Sequence, residues 1–231
     1  MIIENAFYKI PEILMSYDNI DDGYEGNIVN LLMTAVVLEF NIRNVDTPLK
    51  LIRTEKRYHM NNRQRCDMYV DYRDTYDERI LTKYNIQSKN YIEAKYYGGK
   101  KRHSGNEVKT QKVGEFIYDI YRLFNYTDSN DGKYLFAIFN DKPETYLAFK
   151  KQTNDGLKER NWLMDLLYEG IHNISFSLDD ESRTIKKIFK NAANVNFNFI
   201  ANTISIKPVL AKTKDAFWCY LIKIYSDTKL A

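Results

Sequence analysis

The run Tyr91-Ile92-Glu93-Ala94-Lys95-Tyr96-Tyr97 constrains this chain more than any other segment. Side chains of an extended strand point alternately to the two faces of a sheet. Ile92, Ala94 and Tyr96 therefore share one face, and Glu93 and Lys95 share the other. Apolar and aromatic neighbours on both sides predict an interior strand, so an acid and an ammonium are carried into the body of a fold. A second alternating run, Cys66-Asp67-Met68-Tyr69-Val70-Asp71, precedes it, with Cys66, Met68 and Val70 predicted on one face. If the two strands pair, Asp67, Glu93 and Lys95 converge on one spot.

The surrounding pattern frames these strands with helices. Val29, Leu32, Val36 and Phe40 recur at helical spacing and predict a helix over 22–44, with Asp21 and Asp22 as candidate N-caps. The stretch 74–89 suits a turn or short excursion. Gly98 to Gly105 reads as a loop, and Val113, Phe116, Ile117, Ile120 and Phe124 then make the stripe of a second helix. Strands are predicted over 134–139, 146–149 and 174–178, and helices over 162–168 and 184–192. The tail, 197–225, reads as two strand-like runs around Lys207-Pro208. There is no internal repeat and no Gly/Ser/Pro-rich linker, so one domain is expected.

Composition removes several function classes. With 231 residues, 44% hydrophobic and 14% aromatic, the chain has material for a packed core. No apolar run approaches the roughly 20 residues of a membrane-spanning helix. The opening Met1-Ile2-Ile3-Glu4-Asn5 lacks the pattern of a secretory leader, so a soluble, cytoplasmic protein is expected. The two cysteines, Cys66 and Cys219, cannot by themselves make a four-ligand zinc site and neither sits in a CxxC pair, and three histidines leave little room for His-rich metal chemistry. A net charge of +3 permits nucleic-acid binding without requiring it.

An acid pair with a lysine beside it is what phosphodiester hydrolysis needs. Hard oxygen ligands hold Mg²⁺, while an ammonium orients or deprotonates the attacking water and neutralises charge building on the phosphate. Arg65-Cys66-Asp67-Met68-Tyr69-Val70 followed by Tyr91-Ile92-Glu93-Ala94-Lys95-Tyr96-Tyr97 resembles the PD-(D/E)xK nucleases, and among them most the type II restriction endonucleases. Cys66 stands where the family's name has Pro, and the resemblance covers roughly residues 25–123. It implies an α/β fold with a restriction-endonuclease-like mixed central sheet flanked by helices, plus additional C-terminal strands and helices. The single nuclease domain would span 1–231, with a catalytic core over about 22–150 and an elaboration over 151–231 for DNA recognition or dimerisation. Asp67, Glu93 and the backbone carbonyl of Ala94 would bind Mg²⁺, with Mn²⁺ as a substitute, and Lys95 would serve the water. The implied activity is site-specific cleavage of double-stranded DNA by a homodimer. A nuclease for repair, recombination or mobile-element processing is the alternative, and a catalytically inactive DNA-binding module of the same fold is a second one.

The letters [D/E]xK alone are a weak signal. They also occur at Glu107-Val108-Lys109, Asp131-Gly132-Lys133 and Asp227-Thr228-Lys229, but only Glu93-Ala94-Lys95 has apolar strand on both sides. Glu25 falls on the apolar stripe of the first helix and is a further candidate ligand; a carboxylate in a helix's first turn also needs no metal. Asp71 shares a face with Asp67 and reads better as a solvated strand-end aspartate. Lys100, Lys101 and Arg102 follow the catalytic strand and are candidate phosphate contacts, against a simple solvated loop. Gln111, on the polar face with Glu115, Tyr118 and Arg122, is a candidate DNA contact. Asn191, Asn194, Asn196 and Asn198 could read adenine edges, although ordinary loop asparagines account for them better.

Overall fold

In the computed structural model, which describes residues 2–16, 25–98, 106–190, 195–210 and 216–226, three helices come first. They are α1 (Ile2–Phe7), α2 (Ile10–Ser16) and α3 (Glu25–Ile42). A 3₁₀ turn leads to β1 (Ile52–Arg57), β2 (Arg65–Asp71), the short α4 (Glu78–Lys83) and β3 (Lys89–Tyr97). Next come α5 (Asn106–Asn125), β4 (Gly132–Phe139), the single turn α6 (Pro143–Tyr146) and a small hairpin, β5 (Lys150–Thr153) with β6 (Gly156–Glu159). The chain ends with α7 (Asn161–Leu167), β7 (Gly170–Ser177), α8 (Arg183–Ile188), β8 (Asn196–Leu210) and β9 (Ala216–Ser226).

Seven strands make one mixed sheet in the order β1-β2-β3-β4-β9-β8-β7. β2 runs antiparallel to both of its neighbours, β1 and β3, and β3 and β4 are parallel. A parallel pair needs a crossover, and α5 supplies it, packing back on β3, β4 and β9. β4 is buried along its whole length, which is why its run is continuously apolar after Lys133. On one face of the sheet, Met68, Val70, Ile92, Ala94 and Tyr96 pack with α1, α2 and α3. On the other, Tyr69, Tyr91 and Tyr97 pack with α5, α7 and α8. Gly114 lets α5 and α8 approach closely, because a Cβ there would collide with Ile188.

Several predicted elements change. Residues 146–149 are not a strand: α6 ends at Tyr146, and the following strand begins only at Lys150. Tyr146 and Leu147 are buried all the same, so burial imitated strand periodicity. Lys207-Pro208 does not divide two strands; β8 runs through it, with a register shift between Ile206 and Val209 that absorbs the missing proline N–H. The first helix is α3, shorter than 22–44, and Asp21 and Asp22 lie outside the described residues. β1 escaped notice because it is an exposed edge strand, Ile-Arg-Thr-Glu-Lys-Arg, without apolar alternation. Among the described residues no helix is long and apolar enough to cross a membrane.

Behind β5 and β6, Arg160 and Glu181 form an ion pair at 3.1 Å, each side chain only 1% exposed. Arg160 also donates to the carbonyls of Ala148 and Lys150, and Trp162 donates to Glu181. Removing one partner strands a buried charge. Arg160→Ala is therefore expected to cost about 3–5 kcal/mol in denaturant unfolding. Arg160→Met with Glu181→Met should regain much of that, since neither charge is then orphaned. A loss below about 1 kcal/mol in the single variant would class the pair with ordinary surface bridges.

Candidate active site

The β2–β3 ladder runs from Asp71↔Lys89 to Met68↔Ile92 and goes no further. One step on, Asp67 and Glu93 would face each other. Instead Asp67 Oδ2 accepts the Ala94 N–H at 2.7 Å, a side chain standing where backbone pairing stops. Across β2, Glu55 of β1 sits in the left-handed region at φ 52°, unusual for a residue with a Cβ. The strands change faces at this kink. Cys66 packs with Tyr58, Tyr69 and Tyr91, while Met68 and Val70 pack on the opposite side. The expectation that Cys66 shares a face with Met68 and Val70 is thereby corrected.

Glu93 is 0% exposed, and both its oxygens are engaged. The Tyr58 hydroxyl donates to Oε1, and Arg122 Nη2 donates to Oε2 at 2.8 Å. Arg122 Nη2 also reaches Asp119 Oδ1 at 2.5 Å, and its Nη1 donates to the Arg65 carbonyl at 3.3 Å. Lys95 shares the face of Glu93, as its spacing predicts, and pairs with Asp119 Oδ2 at 3.1 Å. With every group ionised, three carboxylates (Asp67, Glu93, Asp119) face two cations (Lys95, Arg122). Burial, and then the Asp119 carboxylate, push Glu93 well above the usual carboxylate range against the pull of Arg122. Asp67 is also raised, first by burial, with the Ala94 N–H opposing.

Asp119, Arg122 and Tyr58 were not foreseen as site residues. On α5, Asp119 and Arg122 flank the buried Ile120 and Leu123, and helical phasing alone puts Arg122 on the polar face. Its side chain is only 14% exposed, because α5 lies across β3 and turns that flank inward. A charged i, i+3 pair bordering an apolar stripe was the available signal.

The other candidates scatter. Glu25 opens α3, but its side chain lies outside the described residues, as do Lys100, Lys101, Arg102, Asn191 and Asn194. Gln111 is exposed and bonds to Glu115. Asp71 closes β2, accepting from Arg73 and from the Tyr69 hydroxyl. Asn196 and Asn198 lie in β8, paired with Ser177 and Ser175. Lys109, of the competing Glu107-Val108-Lys109 match, donates to the Glu144 carbonyl.

Among the described residues, no group of three or more His, Cys, Asp or Glu side chains is arranged to hold a metal ion. Mg²⁺ does not require one: one or two carboxylates with waters and substrate phosphates are its ordinary set. In an extended strand the N–H and C=O of one residue point the same way. The Ala94 carbonyl thus opens toward Asp67, as the N–H does. Asp67, the Ala94 carbonyl and Glu93 fit a hard cation in donor type. Glu93 Oε2 would be open to a cation only with Arg122 displaced from it.

The raised Glu93 makes stability depend on pH. The unfolded chain gives up this proton in the ordinary carboxylate range, near 4.5, and the folded protein holds it to higher pH. Between those limits the folded state binds more protons, so the metal-free protein should lose stability as pH rises above about 5. Glu93→Gln should flatten that decline in thermal melts. Parallel curves for the variant and the parent would mean that Glu93 ionises normally.

No protein-family model matches this chain, and neither does any curated protein or solved structure, so what the site can do follows from its own residues.

Proposed function

We propose that this chain is a Mg²⁺-dependent endonuclease of the PD-(D/E)xK type that cuts double-stranded DNA at a short site. The observation that carries the reading is the break in the β2–β3 ladder. There Asp67 and Glu93 stand side by side, and Lys95 follows on the same face as Glu93. The mixed sheet flanked by helices, with a helical crossover between parallel β3 and β4, agrees with a restriction-endonuclease-like core.

Asp67, Glu93 and the Ala94 carbonyl would hold the cation, which when bound supplies an activated water and charge stabilisation at the phosphate. Lys95, half-buried and held by Asp119, keeps its ammonium aimed at one place, where it orients the attacking water and offsets negative charge in the transition state. Tyr58 fixes the Glu93 carboxyl from behind. A homodimer would deliver one such centre to each strand of a two-fold site. Lys100, Lys101 and Arg102 remain candidates for phosphate contact.

One observation favours a second reading, a DNA-binding module without catalysis: Arg122 and Tyr58 occupy both oxygens of Glu93. If the site takes a metal, Arg122→Gln should tighten Mn²⁺ binding by about tenfold or more, the low end for a hydrogen bond between charged groups. Calorimetry finding no Mn²⁺ bound by either protein would favour the inactive module.

Cleavage is the direct test. Plasmid and phage DNA incubated with Mg²⁺ should give discrete bands, whereas smears or structure-dependent cuts would point to repair or recombination. Lys95→Ala is expected to fold and bind DNA yet cut about a hundred- to a thousandfold more slowly, the scale for removing one preorganised electrostatic interaction. Asp67→Asn should lose activity that raised Mn²⁺ partly restores. Lys109→Ala, remote from Asp67, should retain activity. A dead Lys109→Ala beside an active Lys95→Ala would sink the assignment.

A further inference from the structure

The hairpin of β1 and β2 carries Arg53, Lys56, Arg57, Arg63 and Arg65, all but Lys56 exposed, and none of them is in an ion pair among the described residues. Arg57 and Arg65 are direct cross-strand partners. Like charges placed directly opposite destabilise a strand pair. β1 is an edge strand, and edge strands are commonly blunted with charge. Edge protection alone is met equally well by a Lys or Arg facing a Glu, which costs nothing. Two arginines face to face leave a repulsion that an anion between them would relieve.

Position identifies the anion. Arg65 is two residues before Asp67, about 7 Å along the strand at the usual rise. Its carbonyl is bound by Arg122, which ties the base of the hairpin to the candidate active site. Guanidinium groups suit phosphate oxygens, which they meet with paired, in-plane donors.

We propose that the β1–β2 hairpin is a docking surface for the phosphate backbone of duplex DNA, with Arg57 and Arg65 clasping a phosphate beside Asp67. This inference rests on the nuclease reading and adds to it the path of the strand. The contact positions the duplex without reading its sequence.

The test is binding of a random-sequence 30-base-pair duplex, followed by fluorescence anisotropy without divalent metal across a range of salt concentrations. Arg57→Gln with Arg65→Gln should weaken binding and lower the slope of log affinity against log salt by about 0.9, the contribution of the one phosphate no longer neutralised. Free of DNA, the same variant should melt at or above the parent's temperature, because the arginine repulsion is gone. Lys158→Gln with Lys187→Gln removes the same charge from exposed positions elsewhere and should leave the slope nearly unchanged. Arg53→Gln with Arg63→Gln, on the same hairpin but outside the facing pair, should lower the slope as well. The proposal is overturned by an unaltered slope in the hairpin variants, or by an equal loss in the control, which would reduce the effect to net charge. A lower melting temperature in Arg57→Gln/Arg65→Gln overturns it too, since the pair would then be structural. Tighter binding of single-stranded RNA through the same arginines would transfer the surface to another partner. A parent protein that binds no nucleic acid fails both this inference and the nuclease reading. A parent that binds and cuts, with hairpin variants unaffected, fails the inference alone.

Discussion

Glu93 sits in the interior because its own strand carries it there. Ile92, Ala94 and Tyr96 are drawn to the face covered by α1, α2 and α3, and alternation forces Glu93 and Lys95 to the face covered by α5. A buried carboxyl is costly unless it is hydrogen-bonded and its charge is balanced. The surroundings meet that demand from two sides, Tyr58 beyond β1 and Arg122 from α5, while burial pushes the carboxyl above the usual range. The placement of α5 across β3 is thus an electrostatic requirement as much as a packing one.

The opening in the ladder has a similar cause. Two carboxyls directly opposite on antiparallel strands would repel at close range. β2 leaves the pairing at Asp67, gives the Ala94 N–H a side-chain acceptor and continues with its faces exchanged. The strained backbone at Glu55 is the matching adjustment on β1. A packed sheet with a local gap between two strands offers what a solid sheet lacks, namely backbone and side-chain oxygens pointing into the same small space. The C-terminal strands β7, β8 and β9 continue the sheet from β4 and leave this end of it open.

Elements with strong internal periodicity were legible. α3, the body of α5, β2, β3 and β4 all carry apolar patterns long enough to identify them. What escaped was whatever derives its shape from neighbours. β1 has no apolar face because it is an edge, and α6 buries Tyr146 and Leu147 without being a strand. In the candidate site, Asp67, Glu93 and Lys95 were nameable from pattern, whereas Tyr58, Asp119 and Arg122 were not. Nothing in their local spacing distinguishes a buried counter-charge from a solvated one.

The order of residues alone determined which side chains share a face, since a strand's period of two and a helix's 3.6 are properties of the local backbone. That put Glu93 with Lys95 and made Ala94 the residue turned away from them. The tertiary structure alone decided that Asp67 lies beside Glu93 across a broken ladder, and that Arg122, distant in the chain, spans Glu93 and Asp119. Those distances depend on how strands register and how a helix crosses a sheet. Both are set by the packing of the whole core, to which residues far apart in the chain contribute together.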